Sequence, residues 1–590
     1  MKSIKSYVDQ LNYTVARSAV GKYFHLENSG HTNEITNAKL STEIRAGLTT
    51  FFTMAYIIAV NSAILSDSGG TCICNSTPDD PICTTNEEYA LCLVDLNRDF
   101  VTATAAISAL ASFMMGLLAN LPVAVAPAMG INAYFVYQLV GFHGSGQLTY
   151  RVALTAVFIE GLIFVALSLF GIRQWLARTI PASIKVACGV GIGLFLTIIG
   201  LSYSAGIGAI TGAVATPLTL GGCTAAQRDP DTGECLSGKA ASPTMWVGFT
   251  LGLLLTGILM TYKIRGAIIF GILIVSIFSW PRNSDFTYFP RTPVGDSRFD
   301  FFKNVVTFRP IQDTLAAQDW NISGAGEQFA LAIFTMLYVD ILDCTGTLYS
   351  MARFSGVVND RTGDFPRSTI AYCSDAVCIS IGSLFGLAPV TAFVESGAGI
   401  QEGGRTGLTA MVTGLCFFIS LFFAPIFASI PPFATGGALI LVGSMMMRGV
   451  VAINWKYPGD AIPAFITLMF MPFSYSIAYG LIAGLLSYAV INSTIWILKV
   501  VSKGRIQPPD YDSKESWSCK HPSRKVTGAN LTFFQSNTLM RTTLTGLSVP
   551  CKETDNSGGR GPSSRASPCL MRSWRHKAPT PGRRCNVCGW

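Results

Sequence analysis

Charged side chains are scarce in this chain. Asp, Glu, Lys and Arg make up 13% of its 590 residues, against about 25% in soluble globular domains, so an ordinary water-soluble fold is excluded. Histidine is nearly absent too: the five residues stand at positions 25, 31, 143, 521 and 576, outside every apolar run. With no metal-ligand spacing and no nucleophile beside a base, a membrane-embedded enzyme has nothing to work with, and no metal or organic cofactor is expected. A cleavable signal peptide is not expected either, because residues 1–43 are polar and mixed in charge. The first apolar run is therefore expected to act as the targeting signal.

What the chain has is hydrocarbon. Half of it is hydrophobic and its mean hydropathy is +0.43. A helix needs roughly 20 apolar residues to cross a bilayer core of about 30 Å. Twelve runs qualify or come close: 46–65, 101–119, 149–170, 184–204, 246–262, 266–280, 328–345, 368–387, 408–429, 434–447, 460–475 and 478–499. The run 246–262 carries no charge and ends in Tyr262 just before Lys263 and Arg265, an aromatic anchor followed by cations.

Charge sorting predicts the orientation. The loop 66–99 holds seven acids (Asp67, Asp79, Asp80, Glu87, Glu88, Asp95, Asp99) against one base, Arg98, which places it outside. It also contains Cys72, Cys74, Cys83, Cys92 and the sequon at Asn75, as expected where disulfides and glycans form. Threading onward puts the loop 206–242, with Cys223 and Cys235, and the sequon at Asn321 on the same side. Lys263, Arg265, Arg353, Arg361, Arg367, Arg405, Arg448 and Lys456 then fall inside, as do both termini. The sequons at Asn12, Asn492 and Asn530 read as chance matches.

Two segments are too interrupted to be ordinary spans. Pro122-Val-Ala-Val-Ala-Pro-Ala-Met-Gly130-Ile-Asn132 and Pro389-Val-Thr-Ala-Phe-Val-Glu395-Ser-Gly397 each open with Pro-Val and reach Gly eight positions after the Pro. Pro and β-branched residues favour an extended start, and the Gly/Ala stretch that follows permits a short helix. Such backbone is tolerated at membrane depth only where protein buries it or a cavity is lined by it. Two such elements, similarly placed in two halves of a chain, point to a transport site between inverted repeats.

Ionisable residues at this depth cost roughly 2.5–3.5 kcal/mol each, so each needs a reason. Asp340 and Asp343 stand three apart on one helical face, and Glu395 sits at the turn from extended to helical backbone. Asn132 adds a donor and an acceptor. A pocket of carboxylates without Lys or Arg opposes an anionic substrate. It suits a flat ligand with adjacent N–H groups, such as a purine edge, and an acid in an apolar cavity can also carry a proton. Glu160 and Asp375 lie in spans away from the chain breaks and read as packing residues.

Four motifs now carry a resemblance: the run 42–61 (Thr-Glu-Ile-Arg-Ala-Gly-Leu-Thr-Thr-Phe-Phe-Thr-Met-Ala-Tyr-Ile-Ile-Ala-Val-Asn), the run 126–134 (Ala-Pro-Ala-Met-Gly-Ile-Asn-Ala-Tyr), Asp340-Ile-Leu-Asp343, and the run 392–400 (Ala-Phe-Val-Glu-Ser-Gly-Ala-Gly-Ile). In this order they resemble the AzgA-like purine transporters over residues 12–505. The resemblance implies an all-α polytopic membrane protein of fourteen spans in two inverted seven-helix repeats. It also implies core and gate domains, with short extended segments in the third and tenth spans. Proton symport of hypoxanthine, adenine or guanine across the plasma membrane follows from it, with xanthine, uric acid or uracil as alternative substrates. Asn132, Asp340, Phe393, Val394 and Glu395 are the implied substrate-binding residues, and Asp340, Asp343 and Glu395 the proton-coupling ones. The partners expected are the nucleobase and the lipid bilayer, with a homodimer left open and no nucleic acid.

The chain is thus expected to divide into an N-terminal segment (1–43), a transporter domain (44–504) and a basic tail (505–590). The tail contains fourteen Lys or Arg and five Asp or Glu, enough to account for the whole-chain charge of +8. Its later part reads as disordered, and Cys585 and Cys588 form a lone pair too small for a closed zinc site.

Overall fold

The computed structural model describes residues 2–513 except 33, 75–82, 84–85, 173–180, 204–205, 214–215, 225–226, 230–232, 265, 323–325 and 359–364. The sequon at Asn75, the cations Arg265 and Arg361, and the tail from residue 514 with Cys585 and Cys588 lie outside the described residues.

Among the described residues, eight helices are long and apolar enough to cross a membrane: Leu40–Ser66, Glu87–Ala119, Tyr150–Leu169, Ala182–Leu201, Pro243–Thr261, Gly326–Ser355, Pro432–Ala452 and Ile477–Val501. Four shorter apolar helices join them, Ala267–Ser279, Ser368–Leu384, Gly407–Ser420 and Pro458–Phe473. Each apolar run of the sequence falls on one of these helices. Tyr150–Leu169 packs on both Ser368–Leu384 and Gly326–Ser355, while Ala182–Leu201 packs on Pro432–Met446 and Pro458–Phe473.

The boundaries differ from the sequence reading where polar residues found partners. The second spanning helix begins at Glu87, well ahead of the apolar run. Asn86 Oδ1 accepts the Tyr89 N–H at 3.2 Å, and Glu87 and Glu88 stand in the first turn, where free N–H groups and the helix dipole favour acids. The expected outer loop 66–99 therefore ends at Asn86. Asp99, now helical and fully buried, accepts the N–H groups of Gln312 at 2.9 Å and Asp313 at 2.7 Å. Arg309 adds an ion pair to the same carboxylate at 3.4 Å.

The expected boundary at 43/44 falls inside a helix for a similar reason. Glu43 is buried in Leu40–Met54 and accepts Arg405 N at 3.0 Å, Thr406 N at 3.2 Å and Thr409 Oγ1 at 2.6 Å. It thereby satisfies open donors at the start of Gly407–Ser420. Upstream, Lys2–Arg17 and Ala19–Tyr23 form two helices, and Ala16, Phe24, Leu26 and Ala38 bury against Leu408. Asn12 exchanges hydrogen bonds with Ser41, and Asn492 donates to Gly459 O at 2.8 Å; both amides are structural.

The cysteines of the two loops pair as Cys72–Cys92, Cys74–Cys83 and Cys223–Cys235. The second of these loops also carries a small antiparallel hairpin, Ile210–Thr211 with Thr219–Leu220.

Candidate substrate site

The two interrupted segments, far apart in sequence, meet. Val125–Pro127 and Val390–Ala392 pair antiparallel, with Val125 opposite Ala392 and Pro127 opposite Val390. Bonds from Ala128 N to Pro389 O (2.9 Å) and from Phe393 N to Ala124 O (3.0 Å) extend the ribbon at both ends. The outward edge of the first strand also finds partners. Ser112 Oγ bonds both the N–H and the C=O of Val125 at 3.0 Å, and Ser396 Oγ accepts Ala124 N at 3.0 Å. Extended backbone in a lipid-like interior is costly unless its polar groups are satisfied, and the two serines serve that end for Ala124 and Val125. Short helices follow each strand, Met129–Tyr134 and Ser396–Gln401. Gly326–Ser355 packs against both of them and against the second strand.

Glu395 is half-buried just after the second strand, and its Oε1 accepts Tyr56 Oη at 2.8 Å. Tyr56 is fully buried in the interruption between Leu40–Met54 and Ile57–Ser66. Asp343, also half-buried, lies within electrostatic reach of Glu395 and of Cys188. Asp340, one turn earlier, has no exposed surface and no hydrogen-bond partner on either oxygen. Its electrostatic neighbours are Asp375, Glu160 and Asp343.

Asn132 is fully buried and donates from Nδ2 to Asn61 Oδ1 at 2.6 Å; Asn61 in turn donates to Thr104 Oγ1 at 2.8 Å. The Asn132 Oδ1 carries no partner. Phe393 is buried within the main apolar core, whereas Val394 is 54% exposed and its carbonyl accepts Gly397 N at 3.0 Å. An open cavity of about 550 Å³ lies at the far end of Ser396–Gln401, lined in part by Thr42, Ser355, Glu402 and Arg405. None of the predicted site residues lines it.

The predicted acids Asp340, Asp343 and Glu395 are thus brought together, the two aspartates on one helix face but with different neighbours. Asp343 faces Glu395, and Asp340 faces the acids of neighbouring helices. Sequence reasoning missed Tyr56 and Asn61, although both lie in the quoted run 42–61; the available signal was a phenol in an apolar run, which needs a partner once buried.

Apolar helices around a buried strand pair, with acids and, among the described residues, no bases at the site, define a multi-pass membrane permease. The chain belongs to the permease family: the Xan_ur_permease family model, described as Permease family, matches residues 89–482. It is 61% identical over 518 residues to the efflux pump notK' of Aspergillus versicolor, covering 88% of this chain and 90% of that one. It is 57% identical over 517 residues to a protein of Schizosaccharomyces pombe named as a xanthine/uracil permease, covering 88% of this chain and 82% of that one. The adenine permease AdeP of Escherichia coli is 34% identical over 456 residues, 76% of this chain and 87% of AdeP. The relatives are permeases rather than enzymes, and this chain is a nucleobase-family permease.

Proposed function

We propose that the chain carries purine bases (hypoxanthine, adenine or guanine) across the plasma membrane together with a proton, by alternating access, in the direction of uptake. One observation carries this reading. Glu395 presents a carboxylate beside Asp343, at a chain break, with one oxygen held by Tyr56 and, among the described residues, no Lys or Arg acting on either acid. Such an acceptor pair matches the N–H edge of a neutral heterocycle. The permease relatives, an adenine carrier among them, support a purine. In this reading Glu395 and Asp343 hold the base, and Asn132 orients the site through Asn61. Phe393 and the Val394 backbone bound it, and Asp340, read from the sequence as a base ligand too, has no exposed surface and takes the proton instead. The twelve apolar helices and the two broken segments supply fourteen crossings. An antiparallel strand pair is what two repeats related by an axis in the membrane plane would produce, with core and gate domains moving against each other and both termini cytoplasmic.

The test is uptake of radiolabelled hypoxanthine in cells lacking their own purine carriers, with and without an uncoupler. Glu395→Ala and Asp340→Ala are expected to abolish net uptake while the protein still reaches the cell surface. Normal uptake by both variants would refute the assignment. A second reading, export, is favoured by the efflux pump among the relatives; faster loss of base from preloaded cells expressing the chain would decide for it. The other relative's name keeps xanthine and uracil as competitor substrates in the same assay.

A further inference from the structure

Three acids are fully buried where three helices meet. Glu160 lies mid-way along Tyr150–Leu169, Asp340 along Gly326–Ser355 and Asp375 along Ser368–Leu384. The contact between the first and third of these helices is tight. A methyl group added at Gly161 would meet Ser380 Oγ, Ser380 N and Ala376 O, and Ser380 Oγ donates to Phe158 O at 3.0 Å. This crossing fixes Glu160 against the helix of Asp375, and Asp340 reaches both acids electrostatically.

Other buried acids in this chain have evident structural work. Glu43 binds two backbone N–H groups and a hydroxyl, and Asp99 binds two N–H groups and Arg309. Glu160 has neither kind of partner: both of its oxygens, like both of those of Asp340, lack a hydrogen bond. Among the described residues, the cations on these three helices or at their start are Arg151, Arg353 and Arg367, all at helix ends; Arg98, on the helix Glu87–Met114 that packs on the third, is turned to Asp95 and Ser297. The other ionisable groups on these three helices are acids or weak acids: Glu327, Asp343 and Asp375, the phenols of Tyr150, Tyr338, Tyr349 and Tyr372, and the thiols of Cys344, Cys373 and Cys378; Tyr134 adds another phenol from the packed helix Met129–Tyr134. Ionised carboxylates cannot share such a site, because each loses hydration and repels its neighbours. A nucleobase cannot enter it either, since Asp340 and Glu160 expose no surface. A proton needs no cavity.

We propose that Glu160 and Asp340 form the proton-binding pair of this permease, holding the coupled proton between two carboxyls of neighbouring helices, apart from the base at Glu395. The pair becomes anionic only when motion of Gly326–Ser355 against Tyr150–Leu169 lets water reach it, which ties proton release to the conformational step. The inference rests on the proton-coupled reading above and adds Glu160, a residue outside the base site, as a positioning group for the proton on Asp340.

The experiment uses the full chain in proteoliposomes, with labelled hypoxanthine and an imposed pH difference of one unit, which drives about tenfold accumulation for one proton per base. Counterflow exchange without a gradient is run in parallel. Glu160→Gln is expected to bring accumulation to onefold while counterflow continues and loses its pH dependence; Asp340→Asn behaves alike. Glu395→Gln loses counterflow as well, so failure at the base site is distinguishable from failure here. Wild-type accumulation with an unchanged pH profile in Glu160→Gln overturns the proposal, and so does loss of counterflow in that variant. If Glu160→Gln does not reach the membrane, Glu160→Asp decides: coupled transport with a displaced pH profile supports the pair, and an unchanged profile refutes it.

Discussion

Removing a single oxygen, Tyr56→Phe, is the sharpest test of the base site. The ring is fully buried and its hydroxyl donates to Glu395 Oε1 at 2.8 Å. Phe fills nearly the same volume, so no cavity opens and the apolar packing around the interrupted first helix is kept. What is lost is one hydrogen bond to a carboxylate that has few other ways to be satisfied. Hydrogen bonds to charged groups contribute about 1.5–3 kcal/mol, and each 1.4 kcal/mol is roughly tenfold. If Tyr56 fixes the carboxylate so that the other oxygen faces the base, the variant binds the base roughly 10- to 100-fold more weakly. Initial rates of labelled hypoxanthine uptake across a concentration series, with surface abundance measured in parallel, give KM and the maximal rate separately. The expected outcome is a raised KM with surface abundance unchanged. An unchanged KM would refute the reasoning, because a carboxylate gripping the base cannot be indifferent to its own positioning donor.

Two further tests concern the frame around the site. Asp99→Ala leaves the Gln312 and Asp313 N–H groups and the Arg309 guanidinium without their buried acceptor, a loss of about 3–5 kcal/mol; thermal unfolding in detergent should shift down sharply, and a shift no larger than that of an exposed-loop substitution would contradict the burial. His25 in the N-terminal segment has its pKa lowered from the ordinary value of 6.5 by burial, by His31 stacked on it at 4.0 Å and by Arg367. The fold therefore favours the neutral ring. Its contribution is complete above about pH 6.5 and lost as pH falls through the lowered value, so protease cleavage within residues 18–39 should rise on acidification, and His25→Asn should flatten that rise.

The helices were legible because hydrocarbon runs have few alternatives in a chain so poor in charge. The two chain breaks were legible because Pro-Val followed by Gly has no use inside a regular span. Their pairing was not: two three-residue strands at 125–127 and 390–392 carry no local signal of partner or register, and only the serines at 112 and 396 record that the outward edge of the first strand needs partners. The acids were found from the cost of burying them, but not their directions. Asp340 and Asp343 share a helical face loosely enough that one meets Glu160 and the other Glu395. Glu160 read as packing because nothing in its own run, Ala156-Val-Phe-Ile-Glu160-Gly-Leu-Ile, names a partner on another helix. Glu87 to Asp99 read as loop because counting charge ignores that acids are welcome in the first turns of a helix.

The arrangement of Asp340 and Asp343 on adjacent turns makes one consequence calculable. Side chains three apart on a helix lie about 5–6 Å from each other, and two unit charges at that distance in a medium of effective dielectric about 20 repel by about 3 kcal/mol. A proton on Asp340 removes that repulsion, so the charged form of Asp343 that accepts the base N–H is easier to hold when Asp340 is neutral. Binding of proton and base is then mutually favourable by up to about 100-fold, and linkage requires the effect to run both ways. Asp340→Asn imitates the protonated state permanently. Its affinity for hypoxanthine, measured by competition in counterflow, should equal that of the wild type at acidic pH and stay there as the pH is raised, while the wild-type affinity falls. Parallel pH profiles for the two proteins would show that the two aspartates do not sense each other, and the coupling would have to run through another part of the chain.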